Sequence, residues 1–318
     1  MKNILLVFSF LTLIQLGFSQ TRDTIIVNGD TVVVLRDALT PADSLRQIGD
    51  LKGAIESFKN AYEIEGTNFN ELYNYACALS LDDQIDSAFK YLLIAATKDT
   101  SPFMLCDPDL LNLRKDNRWG DFETNLIAAI QKKYNHRYKD IEYAKKLWYM
   151  HVTDQAYYDC IFLAEDKIGK GSIVVKALWK IKESLNLENQ KELERLIDKK
   201  GWPKNSQVGK EAAQSAFLVI QHSDAEKQKK YLPTIEKLCK DKEADWESYA
   251  LMYDRVQISD NKPQKFGSQI RFNPQTSKYE LFPLLDESKV EQWRQEVGLG
   301  SLAKYVAQWD IKFEPNKK

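Results

Sequence analysis

Two short apolar runs open the pattern of the chain. Residues 24–27 read TIIV and residues 31–35 read TVVVL, and Asn28-Gly29 lies between them. Two β-branched runs around Asn-Gly predict a β-hairpin, because both turn residues accept the left-handed backbone that a tight turn needs. Thr40-Pro41 then has the residue types of an N-cap and a first helical position. A hairpin segment over 20–37, followed by a helix, is therefore predicted.

Apolar positions at helical spacing dominate the rest of the chain. The predicted helix over 208–222 contains AFLVI at 216–220, which is apolar on all sides and typical of a helix at the centre of a core. The predicted core of the C-terminal half comprises Trp202, Phe217, Ile220 and Trp246. The other elements predicted there are helices over 140–164, 173–182, 187–200, from 224, from 244 and over 302–309, and a hairpin of 267–272 with 278–282. The expected fold class is mostly α, with a helical α+β domain that carries a small β-hairpin.

The N-terminal half repeats at an offset of 34 residues. The matching pairs are Ala42–Ala76, Leu45–Leu79, Leu51–Ile85, Ala54–Ala88, Phe58–Leu92 and Ala61–Ala95. A period of this length, with small residues where two helices touch, resembles the tetratricopeptide repeat. Both copies lack the aromatic and glycine pair that is usual in the first helix of that repeat. Asn68 with Glu71 predicts a capping box at the start of the second copy.

A closing segment follows the second copy. Residues 106–119, CDPDLLNLRKDNRW, resemble the end of some bacterial tetratricopeptide arrays. Stacked helix pairs expose an apolar end, and a helix predicted over 119–134 would cover it. A tetratricopeptide-like module is thus predicted over 38–135 and a second domain over 136–318. Because such modules bind peptides or proteins on a concave face, a protein or peptide partner is expected for residues 38–135.

The first 19 residues have the organisation of a signal peptide. Lys2 precedes an apolar run over 4–16, and Gly17-Phe18-Ser19 places small residues at the positions that signal peptidase reads. The run is shorter than the ~20 residues that span a bilayer. An uncleaved anchor is the alternative. Cleavage after Ser19 would give an exported chain, periplasmic or extracellular, without a membrane span.

Charge and cysteine content narrow the class of function. The 318 residues carry 45 basic and 46 acidic side chains, so no net field steers the chain onto nucleic acid. The cysteines are Cys77, Cys106, Cys160 and Cys239, and none forms a CxxC pair that would favour a zinc finger or ribbon. Export would permit disulfides in three pairings, while buried free thiols are the default interpretation.

Short motifs follow one another in the C-terminal half. They are GWP at 201–203, VG at 208–209, QHSD at 221–224, YLP at 231–233, DR at 254–255, PQ at 263–264, FGSQ at 266–269 and VGL at 297–299. In this order they resemble a bacterial family of domains of unknown function over about residues 140–306. Asp154-Gln155 resembles an early pair of that family, and Phe266 replaces a more usual tyrosine. The resemblance implies a candidate site and no reaction.

Polar residues of these motifs are the candidate site. The candidate catalytic residues are His222, as a general base, and Asp254 with Arg255, as a pair able to bind an anion. The candidate ligand-binding residues are Asp154, Gln221, Asp224, Gln264, Ser268 and Gln269. A structural role explains the same residue types, since Ser223 with Glu226 predicts a capping box and glutamines also hold loops.

Two functions therefore stay open. The first is an envelope protein without enzymatic activity that binds a partner through residues 38–135. The second is an enzyme or small-ligand-binding protein with a polar pocket around His222, Asp254 and Arg255, and it requires these side chains to converge on one open cleft. His151 and Asp154 could share a metal with His222, but the sparse spacing favours no metal and no cofactor.

Overall fold

The computed structural model describes residues 23–27, 30–34, 41–65 and 68–314. The signal peptide predicted to end at Ser19, the Asn28-Gly29 turn and Thr40 lie outside the described residues. The predicted N-terminal hairpin is present as antiparallel strands β1 (Asp23–Val27) and β2 (Asp30–Val34). Asp23 lies opposite Val34 in their register, and Val27 lies opposite Asp30.

Helices make up most of the remaining structure, as the apolar spacing predicts. They are α1 (Pro41–Gln47), α2 (Leu51–Glu65), α3 (Phe69–Leu81), α4 (Ile85–Lys98), α5 (Trp119–Lys133), α6 (Ile141–Gln155), α7 (Tyr158–Ile168), α8 (Ile173–Lys200), α9 (Asn205–Val208), α10 (Lys210–Gln221), α11 (Ala225–Lys240), α12 (Trp246–Ser259), α13 (Val290–Glu296) and α14 (Leu302–Val306). Short 3₁₀ turns occur at Pro102–Leu105, Pro108–Leu110, Leu113–Lys115 and Ala307–Trp309. None of the helices in the described ranges is both long and apolar enough to cross a membrane.

The described residues form two compact units. Those up to Asn189 belong to the first unit, and those from Gln190 onward belong to the second. The division lies within α8. The domain boundary predicted after residue 135 concerns sequence modules and stays a prediction.

In the first unit, α1 contacts α2, α2 contacts α3 and α3 contacts α4. The predicted capping box starts α3: the N–H of Glu71 donates to Asn68 Oδ1 at 3.0 Å, and the N–H of Asn68 donates to Glu71 Oε2 at 3.3 Å. These two bonds satisfy N–H groups that would otherwise lack partners at the helix start. The helix predicted over 119–134 is present as α5.

Two predicted helix boundaries are wrong in the segment after α5. The predicted helix over 140–164 is interrupted after Gln155, because Tyr157 takes a left-handed conformation with φ 73°. The helices predicted over 173–182 and 187–200 are one continuous helix, α8. Residues 183–186 contain neither glycine nor proline. Nothing in their backbone chemistry therefore ends the helix.

The second unit is built around α10, as predicted. Phe217 is 4% exposed and Ile220 is fully buried. The helix begins at Lys210 rather than at 208, because Gly209, with φ 85°, separates it from α9. Trp202 is buried as expected, but Trp246 is only half-buried. Trp246 is the first residue of α12, where its ring contacts Tyr249 edge-on at 5.4 Å and stays partly open to solvent.

The predicted C-terminal hairpin is confirmed. Strands β3 (Ile270–Asn273) and β4 (Lys278–Leu281) pair antiparallel, with Ile270 opposite Leu281. The last helices bury Val290, Leu302 and Val306 in one apolar cluster against the segment around Leu281 and Leu284. This cluster supports the loop that leads from α12 into the hairpin.

Candidate functional site

Asp254 holds the loop between α12 and β3. Its side chain is fully buried, and its carboxylate accepts four hydrogen bonds from backbone N–H groups. Oδ1 accepts from Lys265 at 2.8 Å and from Phe266 at 3.0 Å. Oδ2 accepts from Phe266 at 3.1 Å and from Ser268 at 3.0 Å. The carboxylate thus occupies the concave row of N–H groups that the loop forms.

The electrostatics of Asp254 follow from this position. Burial raises the pKa of Asp254, while the N–H donors of Ser268, Phe266 and Lys265 act in the opposite direction. Hydrogen bonds to the charged form of a buried carboxylate compensate part of its desolvation. The geometry makes Asp254 a residue that fixes a loop, since its lone pairs face the chain itself.

Gln264 closes the same loop from the other side. Its side chain is fully buried, and Oε1 accepts from the N–H of Gln269 at 2.8 Å. Its amide group donates to the carbonyl oxygens of Gln269 and Phe282, both at 3.0 Å. Gln264 therefore uses its donor and acceptor in the way that a paired strand residue does.

Ser268 and Gln269 also bond within the loop. The Gln269 side chain donates to Ser268 Oγ at 3.0 Å, and the Ser268 carbonyl accepts from the Tyr305 hydroxyl at 2.8 Å. Both residues are buried, with 1% and 7% exposure. The predicted residues Asp254, Gln264, Ser268 and Gln269 are thus brought together, and their described hydrogen bonds join them mainly to backbone groups.

Arg294 belongs to this network and was missed by the sequence analysis. It is 3% exposed and donates to the carbonyl oxygens of Phe266 at 2.7 Å and Gly300 at 2.6 Å. Its guanidinium lies 5.1 Å from the centre of the Tyr305 ring, and burial lowers the pKa of Arg294. The available signal was its position four residues after Val290, on the buried face of a helix.

His222, Gln221 and Arg255 meet at the end of α10. The Gln221 carbonyl accepts from Arg255 Nη1 at 3.0 Å and from the Gln228 amide at 2.9 Å. His222 is half-buried, and its own carbonyl accepts from the Gln190 amide at 3.4 Å. Arg255 therefore binds a carbonyl that the helix end leaves open, a common use of arginine at a helix C-terminus.

Asp224 caps α11, and the predicted capping box is wrong by one residue. Asp224 Oδ1 accepts from the N–H of Lys227 at 2.9 Å, which makes Asp224 rather than Ser223 the N-cap. That hydrogen bond lowers the pKa of Asp224. Ser223 instead donates its hydroxyl proton to the Ile220 carbonyl at 2.6 Å. Its position just after the end of α10 explains this choice, because carbonyl groups there lack helical partners.

Asp154 and His151 lie in the first unit, whereas His222 lies in the second. Asp154 is buried, and its Oδ2 accepts from the Gln155 amide at 2.6 Å. The buried Lys182, which the sequence analysis missed, donates to the carbonyl oxygens of Thr153 at 3.2 Å and of Asp154. Burial lowers the pKa of Lys182 to about 8, against the charge of Asp154. Lys182 thus satisfies carbonyls freed where α6 ends.

A second polar cluster lies in the first unit. The Tyr73 hydroxyl donates to Asp107 Oδ2 at 2.7 Å, Cys77 Sγ lies 3.9 Å from the same oxygen, and Arg46 forms an ion pair with Asp109. Burial, and then the charge of Asp109, raise the pKa of Asp107 to about 7.

Cys77, Asp107 and Asp109 place ligand atoms within 4.8 Å of one another, the one such group in the part of the chain that the structure describes. Arg46 supplies a positive charge to the pair of carboxylates, as a metal ion otherwise would. All four cysteines are free thiols, and Cys160 is exposed while the other three are buried.

The GWP motif lines a shallow pocket in the second unit. Trp202 and Pro203 form one wall with Phe217, and Lys210 pairs with Asp245 at 3.3 Å at the edge. The Trp202 ring also contacts the Tyr231 ring at 5.3 Å. The motif therefore packs the core and leaves a small, mainly apolar depression at its surface.

Comparison with protein-family models matches residues 144–313, more than half of the chain, to a family described as a family of unknown function, DUF6624. The match confirms the resemblance of the C-terminal half to a domain family of unknown function. Searches of curated proteins and of solved structures gave no match.

Proposed function

The chain belongs to the family of unknown function DUF6624, and we propose that it is an exported, non-enzymatic protein that binds a protein partner through residues 38–135. The observation that carries this proposal is the equal burial of positions 34 residues apart in that segment. The N-terminal sequence of the chain supports export.

The repeat positions support a tetratricopeptide-like module. Ala54 and Ala88 are both fully buried. The pairs Ala42 with Ala76 and Phe58 with Leu92 are also buried on both sides. Equal burial at a fixed offset means that two successive helix pairs use the same contact positions, as stacked repeats do. Ala61, which is exposed while Ala95 is buried, is the departure.

The proposed partner contacts the outer side of α4. The inner helices α1 and α3 already bind the 107–109 turn, through Arg46 with Asp109 and Tyr73 with Asp107. Leu93 on α4 is 52% exposed, more than any other large apolar side chain described in α1–α4. An exposed leucine on a helix that carries charged neighbours suits a partner surface of mixed polarity.

The polar network of the second unit supports a role without chemistry. A catalytic acid or base must reach a substrate, within hydrogen-bond distance or through one water. Asp254 and Gln264 are fully buried and bond to backbone groups of their own loop. A ligand pocket around His222 and Arg255 is the competing function, and the same experiment addresses it.

The test uses the full mature chain with a C-terminal tag, and it compares wild type with Leu93→Glu and with Gln295→Glu, an exposed control in α13. We expect envelope extract to yield a protein that is enriched by wild type and by the control and lost with Leu93→Glu. Equal enrichment by all three contradicts the proposed surface. A small-molecule library is then screened by thermal shift on wild type and His222→Ala. A compound that raises the melting temperature of wild type alone favours the ligand pocket.

A further inference from the structure

An apolar stripe is exposed on the first half of α8. Six of the 14 large apolar side chains that are exposed in the described residues fall between positions 162 and 187. On α8, Ile173 is 83% exposed, Val174 and Leu187 are each 49% exposed, and Ile181 is 46% exposed. Soluble proteins usually scatter such side chains, so their concentration on one helix marks an interaction surface.

These residues share one side of the helix. At 100° per residue, Ile173, Val174 and Ile181 fall within about a third of a turn of Ala177. Ala177 and Ser184, which are also exposed, lie on the same side and are small. The side therefore combines large apolar residues with small ones over which a second helix can approach closely.

The opposite side of α8 is already used. Val175 and Lys182 are 1% exposed, and Trp179 donates its ring N–H to Glu165 at 3.1 Å. These contacts fix the rotation of the helix about its axis. The exposed stripe is consequently held outward by packing within the first unit and is not available to its core.

Charges beside the stripe are separated along the helix. Lys176 and Lys180 lie in its first half, and Glu183 and Glu188 lie in its second half, all exposed. When two such helices run antiparallel, the basic half of each lies beside the acidic half of the other. Pairing Lys180 with Glu183 of a second copy brings Lys176 to within one residue of Glu188.

We propose that this stripe is the docking surface for a second copy of the same chain, with the two α8 helices antiparallel about a two-fold axis near Ile181. Each Leu187 then packs over Ala177 of the other copy, and Ile181 lies close to its own counterpart. Such an isologous contact closes on itself as a dimer. It is separate from the surface on α4 assigned to a protein partner.

The first test measures the oligomeric state of the full mature chain by sedimentation over a concentration series. Wild type dimerises reversibly, and Ile181→Glu weakens the dimer at least about tenfold because it places two carboxylates at the axis. Leu93→Glu, an exposed leucine changed in the same unit, leaves the dimer unchanged. A monomeric wild type, or a dimer that Ile181→Glu does not weaken, overturns the proposal.

The second test reads the register. Lys180→Glu and Glu183→Lys each weaken the dimer, and the double variant restores it, since only the exchanged pair remains complementary. In a Cys160→Ser background, Ile181→Cys forms a disulfide-linked dimer under mild oxidation, whereas Leu93→Cys does not. Absence of both the rescue and the cross-link contradicts the antiparallel pairing. A wild-type monomer that loses an envelope partner through Ile181→Glu assigns the stripe to another protein instead.

Discussion

Tyr73 donates a hydrogen bond to Asp107 across 2.7 Å, from the second pair of repeat helices to the turn that follows it. The two residues are 34 positions apart, and both are buried. The turn predicted to close the end of the array therefore also bonds to an inner helix. This contact ties the repeat helices to the segment that follows them.

Asp107→Asn is expected to reduce the dependence of stability on pH. The pKa of Asp107 is raised to about 7 in the fold. In the unfolded chain it returns to about 3.9. Between these values the folded state holds a proton that the unfolded state lacks, so the free energy of unfolding falls as pH rises and levels off above about 7. Urea unfolding at about pH 4.5 and 8 should show a smaller difference for Asp107→Asn than for wild type.

The control for this prediction is Asp83→Asn, an exposed position in the same unit. It should keep the pH dependence of wild type. The groups that face Asp107 are Tyr73, Cys77, Asp109 and Arg46. A pH dependence that Asp107→Asn leaves intact would mean that another of these groups, or one elsewhere, takes up the proton.

Local patterns in the sequence were sufficient for several elements. Both hairpins, the Asn68 capping box, α5 and the core position of Phe217 follow from residues within a few positions of one another. Gly267 takes φ 66°, which agrees with the backbone shape expected of it. These features depend on propensity, capping and periodicity, which a single chain displays directly.

Features fixed by distant contacts could not be read in the same way. The end of α6 is satisfied by Lys182, almost 30 positions later, and Arg294 reaches the carbonyl of Phe266 from another helix. Nothing in the spacing around either residue identifies such a partner. The motif residue Asp254 was located correctly as important, but its backbone partners only become visible in the fold.

Export is expected to leave Gln20 as the first residue. The basic start, the apolar run and the small residues before Ser19 together fit a cleaved signal. Intact-mass measurement of the protein recovered from the envelope or the medium checks this expectation. Recovery of a mature species that retains Met1 would contradict it and favour the uncleaved anchor.

Phe217→Ala should cost about 3–5 kcal/mol of unfolding free energy, because it truncates a large side chain in the centre of the second unit. Trp246→Phe, at a half-buried position, should cost clearly less. Urea denaturation of both variants at one pH provides the comparison. A loss under about 1 kcal/mol for Phe217→Ala would place the core elsewhere.

Asp254→Ala should destabilise the protein by about 3 kcal/mol or more, since it leaves three buried N–H groups without their acceptor. Asp254→Asn keeps one acceptor oxygen and should lose less. Asp286→Ala, at a position described as half-buried in a surface turn, is the comparison and should cost little. If Asp254→Ala retained wild-type stability, a role in chemistry would regain support.

Gly267→Ala should destabilise the loop through both its backbone and its space. Gly267 has φ 66°, which costs a residue with a Cβ about 1–2 kcal/mol. A Cβ there would also lie 2.8 Å from Leu302 Cδ1 and 3.2 Å from Leu284 Cδ2, in the apolar cluster that supports the loop. Gly171→Ala is the matched control, because its Cβ would meet nothing within 4 Å. Thermal denaturation should lower the melting temperature of Gly267→Ala by several degrees and leave that of Gly171→Ala near wild type. Equal melting temperatures for the two variants would show that the loop accommodates the methyl group and that the Asp254 network does not depend on this close approach.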